Sequence, residues 1–250
     1  AWLRTRRFWV QILAGAVIKL MNNYKTISLM FPLYKDRSTV RKMIFNSLKV
    51  LKKTKKKFEI IIVDDGCPEK SGLYAKKISK KISQVKVIFH NINKGYGSAL
   101  KTGFKNCKGE WIFQTDGDAE YSVNDLNRLL KASNKSDLVI TYRFKKKYKT
   151  GRIIISWVYN ALLRIIFRTK FKDVSTGSRL ISKNLIKKVN LFSNSPFLGA
   201  ELAIKSHYKG FKVNEIGIHT YPRTFGSGSS VSIKNIILTL KDMIILFFKL

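Results

Sequence analysis

From Thr26 onward, short apolar runs alternate with longer segments of mixed polarity, the rhythm of strands separated by helices. Runs at 26–31, 58–63, 85–89, 110–115 and 137–141 read as strands, the first ended by Pro32. Between them, 38–53, 69–82, 95–106 and 123–132 read as helices, the third with a glycine-rich entry. The 58–63 run is nearly all β-branched, the signature of a strand buried on both faces. The expectation is an α/β fold: an open, mostly parallel sheet covered by helices.

After Tyr142 the rhythm changes. Residues 138–172 contain no acid and ten cations, and within them 153–167 is rich in Ile, Leu, Trp and Tyr. A basic, aromatic-bearing apolar helix suits an anionic membrane interface; the other reading is a core helix with a solvated basic edge. The end of the chain, 233–250, repeats the theme, with Ile236, Ile237, Leu240, Ile244, Ile245 and Phe248 at helical spacing. It reads either as a second interfacial helix or as the start of a spanning segment. At the other end, Arg4, Arg6 and Arg7 precede an apolar run over 8–21, broken by Gln11 and Lys19. That run is shorter than the roughly 20 residues a bilayer requires, so it reads as interfacial too. The chain divides into a basic-apolar segment 1–25, one catalytic-sized domain over 26–230 and a C-terminal amphipathic helix over 231–250. Neither an internal repeat nor a second domain is visible.

The length of 250 residues and 45% hydrophobic content suit one α/β domain with a substantial core. Two separated cysteines, Cys67 and Cys107, suit a reducing compartment. The net charge of +34 points to an anionic partner: nucleic acid, membrane headgroups or a phosphorylated small molecule. No nucleic-acid motif accompanies the charge, and clusters such as Lys55-Lys56-Lys57 read as solvated helix ends, so no nucleic-acid partner is expected. His90, His207 and His219 are scattered without metal-ligand spacing and read as structural.

Candidate chemistry lies at strand ends. In open parallel sheets ligands bind beyond the carboxyl ends of the strands, and two acidic clusters fall there: Asp64-Asp65 and Asp116-Gly117-Asp118. Carboxylates brought together repel unless a cation or donor lies between them. A D-x-D after an apolar strand can present oxygens to Mg²⁺ or Mn²⁺, which would bridge to a diphosphate. Alone the motif is weak, because surface turns use Asp-Gly freely.

The order of the pieces is more specific. Strand-Pro32-Leu33-Tyr34, strand-Asp64-Asp65-Gly66, Asn93-Lys94-Gly95-Tyr96-Gly97 and strand-Asp116-Gly117-Asp118 together resemble the family 2 glycosyltransferases. The likeness is greatest to the branch of dolichol-phosphate mannose synthases and polyprenyl-phosphate glycosyltransferases. It continues through Asp137–Arg143, Asp173–Leu180 and Tyr221–Ser229. A nucleotidylyltransferase would need a glycine- and basic-rich signature after the first strand, which Pro32–Arg37 is not.

The resemblance implies a single Rossmann-like GT-A domain and an inverting, metal-dependent transfer of hexosyltransferase type from a nucleotide-sugar donor. The implied acceptor is a polyprenyl phosphate, or else a glycan hydroxyl, and the implied location the cytoplasmic face of a membrane, peripherally held on its anionic surface. Position by position, Pro32, Tyr34 and Asp36 stand where the first strand meets the nucleotide, with Lys35 displacing the family's usual acidic residue. Asp64 or Asp65 would bond the base or ribose; Lys94 and Gly95 begin the loop beside it. Asp118 is the implied direct metal ligand, with Asp116 supporting it or contacting the ribose; Glu120 stands where many relatives carry Gln. Arg143 and Arg223 are implied phosphate clamps, or else surface charges. Ser227, with Ser229, would close over the donor, although the family's basic residue in that loop is absent. Asp173 and Arg179 would pair to position the acceptor loop. Glu201 is either the base that deprotonates a hydroxyl acceptor or a favourable charge at a helix start.

Overall fold

The alternating strands and helices fold as their periodicity dictates. The computed structural model describes residues 26–144, 150–222 and 232–250; the segment 1–25 and the candidates Arg223 and Ser227 lie outside them. Strands β1 (Thr26–Leu33), β2 (Lys57–Asp64), β3 (Val85–Phe89), β4 (Trp111–Gln114), β5 (Leu138–Arg143), β6 (Arg179–Ser182) and β7 (Val213–Ile218) form one sheet, in the order β3-β2-β1-β4-β6-β5-β7. All neighbours pair in parallel except β6, which runs antiparallel to both β4 and β5. The expected mostly parallel α/β sheet is therefore observed, with one inverted strand that the apolar pattern did not mark.

Helices α1 (Val40–Lys53), α2 (Ser71–Ser79), α3 (Tyr96–Asn106), α4 (Leu126–Ala132), α5 (Thr150–Ile166), α6 (Lys183–Lys188), α7 (Leu198–Tyr208) and α8 (Ile233–Phe247) complete the described chain. Side-chain alternation splits the core in two. Ile27, Leu29, Phe31, Ile60 and Ile62 face one way, towards α1 residues Met43, Ile44 and Leu51. Met30, Ile61 and Val63 face the other, joining Leu100 and Phe104 of α3 and Leu198, Leu202 and Ile204 of α7.

Pro32 does not end β1; it pairs in register with Val63. β1 pairs with β4 only as far as Met30, so Pro32 lies beyond that ladder and its missing N–H removes no bond there.

The two apolar helices beyond Tyr142 share a design. α5 buries Leu163, yet Trp157 is 65% and Ile165 74% exposed. α8 inserts Met243 and Leu246 into the core shared with α3 and α7, while Ile237, Ile244 and Phe247 on its other side are exposed. Each is thus both a core helix and a bearer of outward apolar surface. Among the described residues no helix is long and apolar enough to cross a membrane.

The chain steps from β1 outward to β2 and β3, then returns to β4 on the other side of β1. That reversal makes the β1/β4 edge the switch point, where open parallel sheets leave a crevice at their carboxyl ends.

Candidate active site

Three turns meet at this edge. After β1, Tyr34 is exposed and Lys35 adopts a left-handed conformation (φ 63°), its N–H directed to Cys67 Sγ at 3.1 Å. Asp36 Oδ2 accepts from Tyr34 N at 3.1 Å, and the Asp36 carbonyl receives the first amides of α1. The 116–118 turn lies directly against this segment. Thr39 Oγ1 donates to Gly117 O at 2.8 Å, and a Cβ on Gly117 would come within 2.7 Å of Pro32 O. Pro32, Tyr34 and Asp36 are therefore in the segment packed against the Asp-Gly-Asp turn.

The turn after β2 has a different character. Asp64 is 4% exposed; its Oδ1 accepts from Cys67 N at 2.8 Å and its Oδ2 from Gly72 N at 2.5 Å. A side chain at Gly72 would overlap the carboxylate, so glycine admits it to the start of α2. Asp65 reaches across to the loop before α3: Oδ1 takes Lys94 N and Oδ2 takes Gly95 N, both at 2.9 Å. His90 Nδ1 lies 2.7 Å from Asp65 Oδ1, and its Nε2 lies 2.9 Å from Thr102 Oγ1. Both carboxylates act as anchors of backbone. Asp64 is turned to the start of α2. Asp65 shapes the loop of Lys94 and Gly95, whose φ of 92° suits glycine alone.

At β4 the carboxylates stand otherwise. Asp116 is half-buried, and its Oδ1 accepts from the Tyr96 hydroxyl at 2.7 Å. Gln114 Nε2 donates to the same hydroxyl at 3.2 Å and to Gly177 O at 3.3 Å. The other edge of Asp116 rests on Gly177, where any side chain would collide with it. Burial and the neighbouring Asp116 hold the Tyr96 phenol well above its ordinary pKa, so it remains a donor. Asp118 is more enclosed, 4% exposed, with Oδ1 accepting from Glu120 N at 2.9 Å. The intervening Ala119 is left-handed (φ 61°), a strained conformation of the kind that marks sites where geometry is imposed. Of the two carboxylates Asp116 is the more exposed.

The donor chemistry of this pair fits Mg²⁺ or Mn²⁺. Two carboxylates from one turn supply hard oxygens and leave the remaining positions to water and to substrate phosphates, the usual arrangement for such ions. Among the described residues no three His, Cys, Asp or Glu side chains converge on a cage.

Beside Asp116, Arg179 is 3% exposed at the start of β6, opposite Gln114 in the ladder. Its Nη2 donates to the carbonyl of Thr176, while Nε and Nη1 have no hydrogen-bond partner. Gln114 Oε1, Thr115 Oγ1 and Ser178 Oγ nearby are likewise buried without one. Gly199 at the start of α7 makes room for the guanidinium, since a Cβ there would stand 2.5 Å from Nη1. Buried unsatisfied donors are costly unless a ligand or water completes them.

Arg143 differs from the expectation in its partner. Asp173 pairs with Arg143 (Nε–Oδ2 2.8 Å), and not with Arg179. Arg143 also donates to Ser175 Oγ at 2.6 Å and to Ser156 Oγ of α5 at 3.3 Å. Burial opposes the charge of Arg143, but Tyr121, Asp173 and Glu120 outweigh it and raise its pKa. The expected Asp173–Arg179 pair fails because Arg179 extends beneath α7, whereas Arg143, at the end of β5, faces the 173–175 loop.

Glu201 also departs from one of its two readings. It is fully buried; Oε1 accepts from Phe192 N at 2.9 Å and Lys205 Nζ at 2.7 Å, and Oε2 from Ser193 N at 2.9 Å. A carboxylate so engaged has no face for an acceptor hydroxyl, so the base is corrected to the alternative, an anchoring charge in the first turn of α7. Tyr96, Gly177 and the 192–195 loop are not among the site residues the sequence singles out, although Tyr96 lies inside the Gly-Tyr-Gly entry and Gly177 inside the Asp173–Leu180 motif; the 192–195 loop has no motif of its own.

The profile described as Glycosyl transferase family 2 matches residues 28–189. Among curated proteins, an undecaprenyl-phosphate 4-deoxy-4-formamido-L-arabinose transferase of Edwardsiella ictaluri is 25% identical, covering 67% of this chain and 53% of its own length. A dolichol-phosphate mannosyltransferase of Pyrococcus furiosus is 28% identical, covering 80% and 56%. A dolichyl-phosphate beta-glucosyltransferase of Saccharomyces cerevisiae is 24% identical, covering 88% and 73%. The chain thus spans about half the length of the first of these relatives. Among solved structures, glucosyl-3-phosphoglycerate synthase from Mycobacterium tuberculosis, solved with Mn²⁺ and UDP-glucose, superposes with a TM-score of 0.68 at 16% identity, covering 91% of this chain and 82% of that one. That likeness is one of fold, the GT-A arrangement of sheet and crevice. The profile covers well over half of the sequence and both acidic turns, and the chain belongs to glycosyl transferase family 2.

Proposed function

We propose that this glycosyltransferase moves a sugar from a nucleotide-sugar donor to a polyprenyl phosphate, with inversion and with Mg²⁺ or Mn²⁺, at the cytoplasmic face of a membrane. One observation carries the reading. Asp116, fixed by Tyr96 and Gly177 at the switch point, lies beside a buried arginine with two unsatisfied N–H directions. A carboxylate that would take a cation and a guanidinium that would meet a phosphate are thus neighbours. The polyprenyl and dolichyl phosphates named for the relatives support the acceptor class.

Asp116 and Asp118 would hold the ion, which supplies positive charge to the departing diphosphate. Pro32, Tyr34 and Asp36 would line the nucleotide side, and Asp65 would contribute by fixing Lys94 and Gly95. An acceptor phosphate oxygen attacks the anomeric carbon, the bond to the donor diphosphate breaks, and the nucleoside diphosphate leaves. Arg179 and Arg143 would orient the two phosphate groups, since guanidinium offers paired donors in fixed directions. A phosphate nucleophile is already an anion and requires no base, which accords with a Glu201 occupied by backbone. No observation favours the hydroxyl-acceptor alternative.

The outward apolar residues of α5 and α8, in a chain of charge +34, support peripheral binding to an anionic membrane. The test of function is a thermal-shift panel of UDP- and GDP-sugars with Mn²⁺, followed by transfer to a short polyprenyl phosphate. A bound donor at about a hundredfold over Kd stabilises by about 2.7 kcal/mol. No shift with any donor, or transfer only to non-phosphate acceptors, would sink the reading. The membrane part is checked separately: Trp157→Glu with Ile165→Glu is expected to abolish co-sedimentation with anionic vesicles, and unchanged sedimentation rejects it.

A further inference from the structure

We propose that Asp242 of the C-terminal helix α8 is a positioning residue for the active site, acting through the 193–195 loop on the glycine-rich turn that carries Tyr96. The inference rests on the donor-site reading above and adds a helix to it. Asp242 is the only acid in 231–250. Its Oδ2 accepts from the hydroxyls of both Ser193 and Ser195, the latter at 2.7 Å. The packing of α8 already rests on Met243 and Leu246. A half-buried acid beside the apolar Met243 and Leu246 adds nothing to packing, so its hydrogen bonds call for a separate reason.

Those bonds bracket Asn194. The exposed Asn194 lies between the two buried serines and faces α3 on its other side. Its carbonyl accepts from Gly97 N at 3.0 Å, and its Oδ1 accepts from Ser98 Oγ at 2.8 Å. The approach is close: a Cβ on Gly97 would stand 2.7 Å from backbone atoms of Asn194 and Ser195, and one on Gly95 2.9 Å from Asn194 O. Tyr96 lies between these glycines, and its hydroxyl donates to Asp116 Oδ1 at 2.7 Å. The contacts therefore run unbroken from α8 through Ser193 and Ser195, Asn194 and the Gly95–Gly97 turn to the carboxylate proposed to hold the metal. Glu201 fixes the amides of Phe192 and Ser193 but touches neither Asn194 nor Ser195. Ser195 also accepts from Phe197 N at 3.1 Å and, at its carbonyl, from Leu198 N at 3.3 Å, both at the start of α7; Asp242 ties the same serine, and Ser193 with it, to α8.

The experiment compares the full chain with Asp242→Ala and Asp242→Asn, reading Gly97 amide exchange and the affinities for Mn²⁺ with UDP and Mn²⁺ with GDP. In Asp242→Ala, Gly97 exchange is expected to rise about tenfold as the loop opens locally. The Mn²⁺-nucleotide affinity is expected to fall about tenfold, within the range for supporting residues around metal sites. Asp242→Asn falls between, because its amide oxygen still accepts from the hydroxyls; it also carries the test if the alanine variant does not fold. In a Tyr96→Phe background the Asp242→Ala loss of affinity shrinks, since the route to Asp116 is already cut. Unchanged Gly97 exchange, unchanged nucleotide affinity, or fully additive effects with Tyr96→Phe each overturn the assignment. Should the native chain bind neither nucleotide with Mn²⁺, the donor site itself fails and the positioning role with it.

Discussion

Asp64-Asp65 and Asp116/Asp118 occupy similar places, each at the carboxyl end of a parallel strand of the same sheet, yet their carboxylates have different surroundings. All four oxygens of Asp64 and Asp65 receive donors from the protein, three of them backbone amides of the following turns alone. Asp116 accepts from the Tyr96 phenol, lies against Gly177 and remains half-buried. A carboxylate saturated by N–H groups is a structural fastener; one braced at an edge can accept a cation. The difference comes from the succeeding chain. After β2 the backbone curls back over the acids, with Gly72 and Gly95 as close neighbours, whereas after β4 it leaves along Ala119 and Glu120.

The largest expected effect separates the two clusters. Asp116→Asn preserves shape and still accepts from Tyr96, but it removes the charge that would hold a divalent ion. Turnover should fall at least about a thousandfold, the several kcal/mol that metal stabilisation of a leaving group supplies. The urea midpoint should stay near that of the native chain. Turnover within tenfold of native, with saturating Mn²⁺, would remove Asp116 from the chemistry.

A steric change asks the same question without touching an acid. Gly177→Ala places a methyl where the Asp116 carboxylate rests. The carboxylate must shift, and displacement by about 1 Å is expected to cost about a hundredfold in kcat. Because the collision is with a side chain at an edge, stability should change much less. Retained kcat in a folded Gly177→Ala would show that the position of Asp116 is immaterial.

Asp64→Asn gives the reverse signature. One amide edge must turn an NH₂ towards either Cys67 N or Gly72 N, leaving a buried donor facing a donor. The expected cost is about 2 kcal/mol of folding stability, read as a lower urea midpoint at unchanged slope, with kcat per folded molecule close to native. A large loss of kcat without a loss of stability would return Asp64 to the nucleotide site.

The donor half of the molecule was legible because its signals are local. Strands such as Phe58–Val63 declare burial by β-branching, and the acids fall where parallel strands must end. The other half depends on pairings distant in sequence. β6 has only four residues, Arg-Leu-Ile-Ser, and inherits its place from β4 and β5 on either side. Asp173 had two arginines within reach along the chain, and the direction of β5 decided for Arg143. Glu201 looked equally suited to base or anchor; the amides that occupy it, Phe192 and Ser193, come from a loop without a motif of its own. Spacing reveals where a carboxylate is, and only the folded chain reveals which donors reach it first.

The smallest effect tests what braces Asp116. Tyr96→Phe deletes one hydroxyl, so Asp116 Oδ1 loses the phenol as a donor while Gln114 keeps the Gly177 carbonyl as partner. A residue that orients a metal ligand typically contributes about tenfold in metal affinity or activity, so the Kd for Mn²⁺ with nucleotide should rise by about that factor. Folding stability should fall by only about 1 kcal/mol, the net worth of an ordinary hydrogen bond. A structural tyrosine would give the second change without the first. Equal Mn²⁺-nucleotide affinity in the two proteins would therefore mean that Asp116 needs no brace, and that its contrast with Asp64 and Asp65 lies in exposure alone.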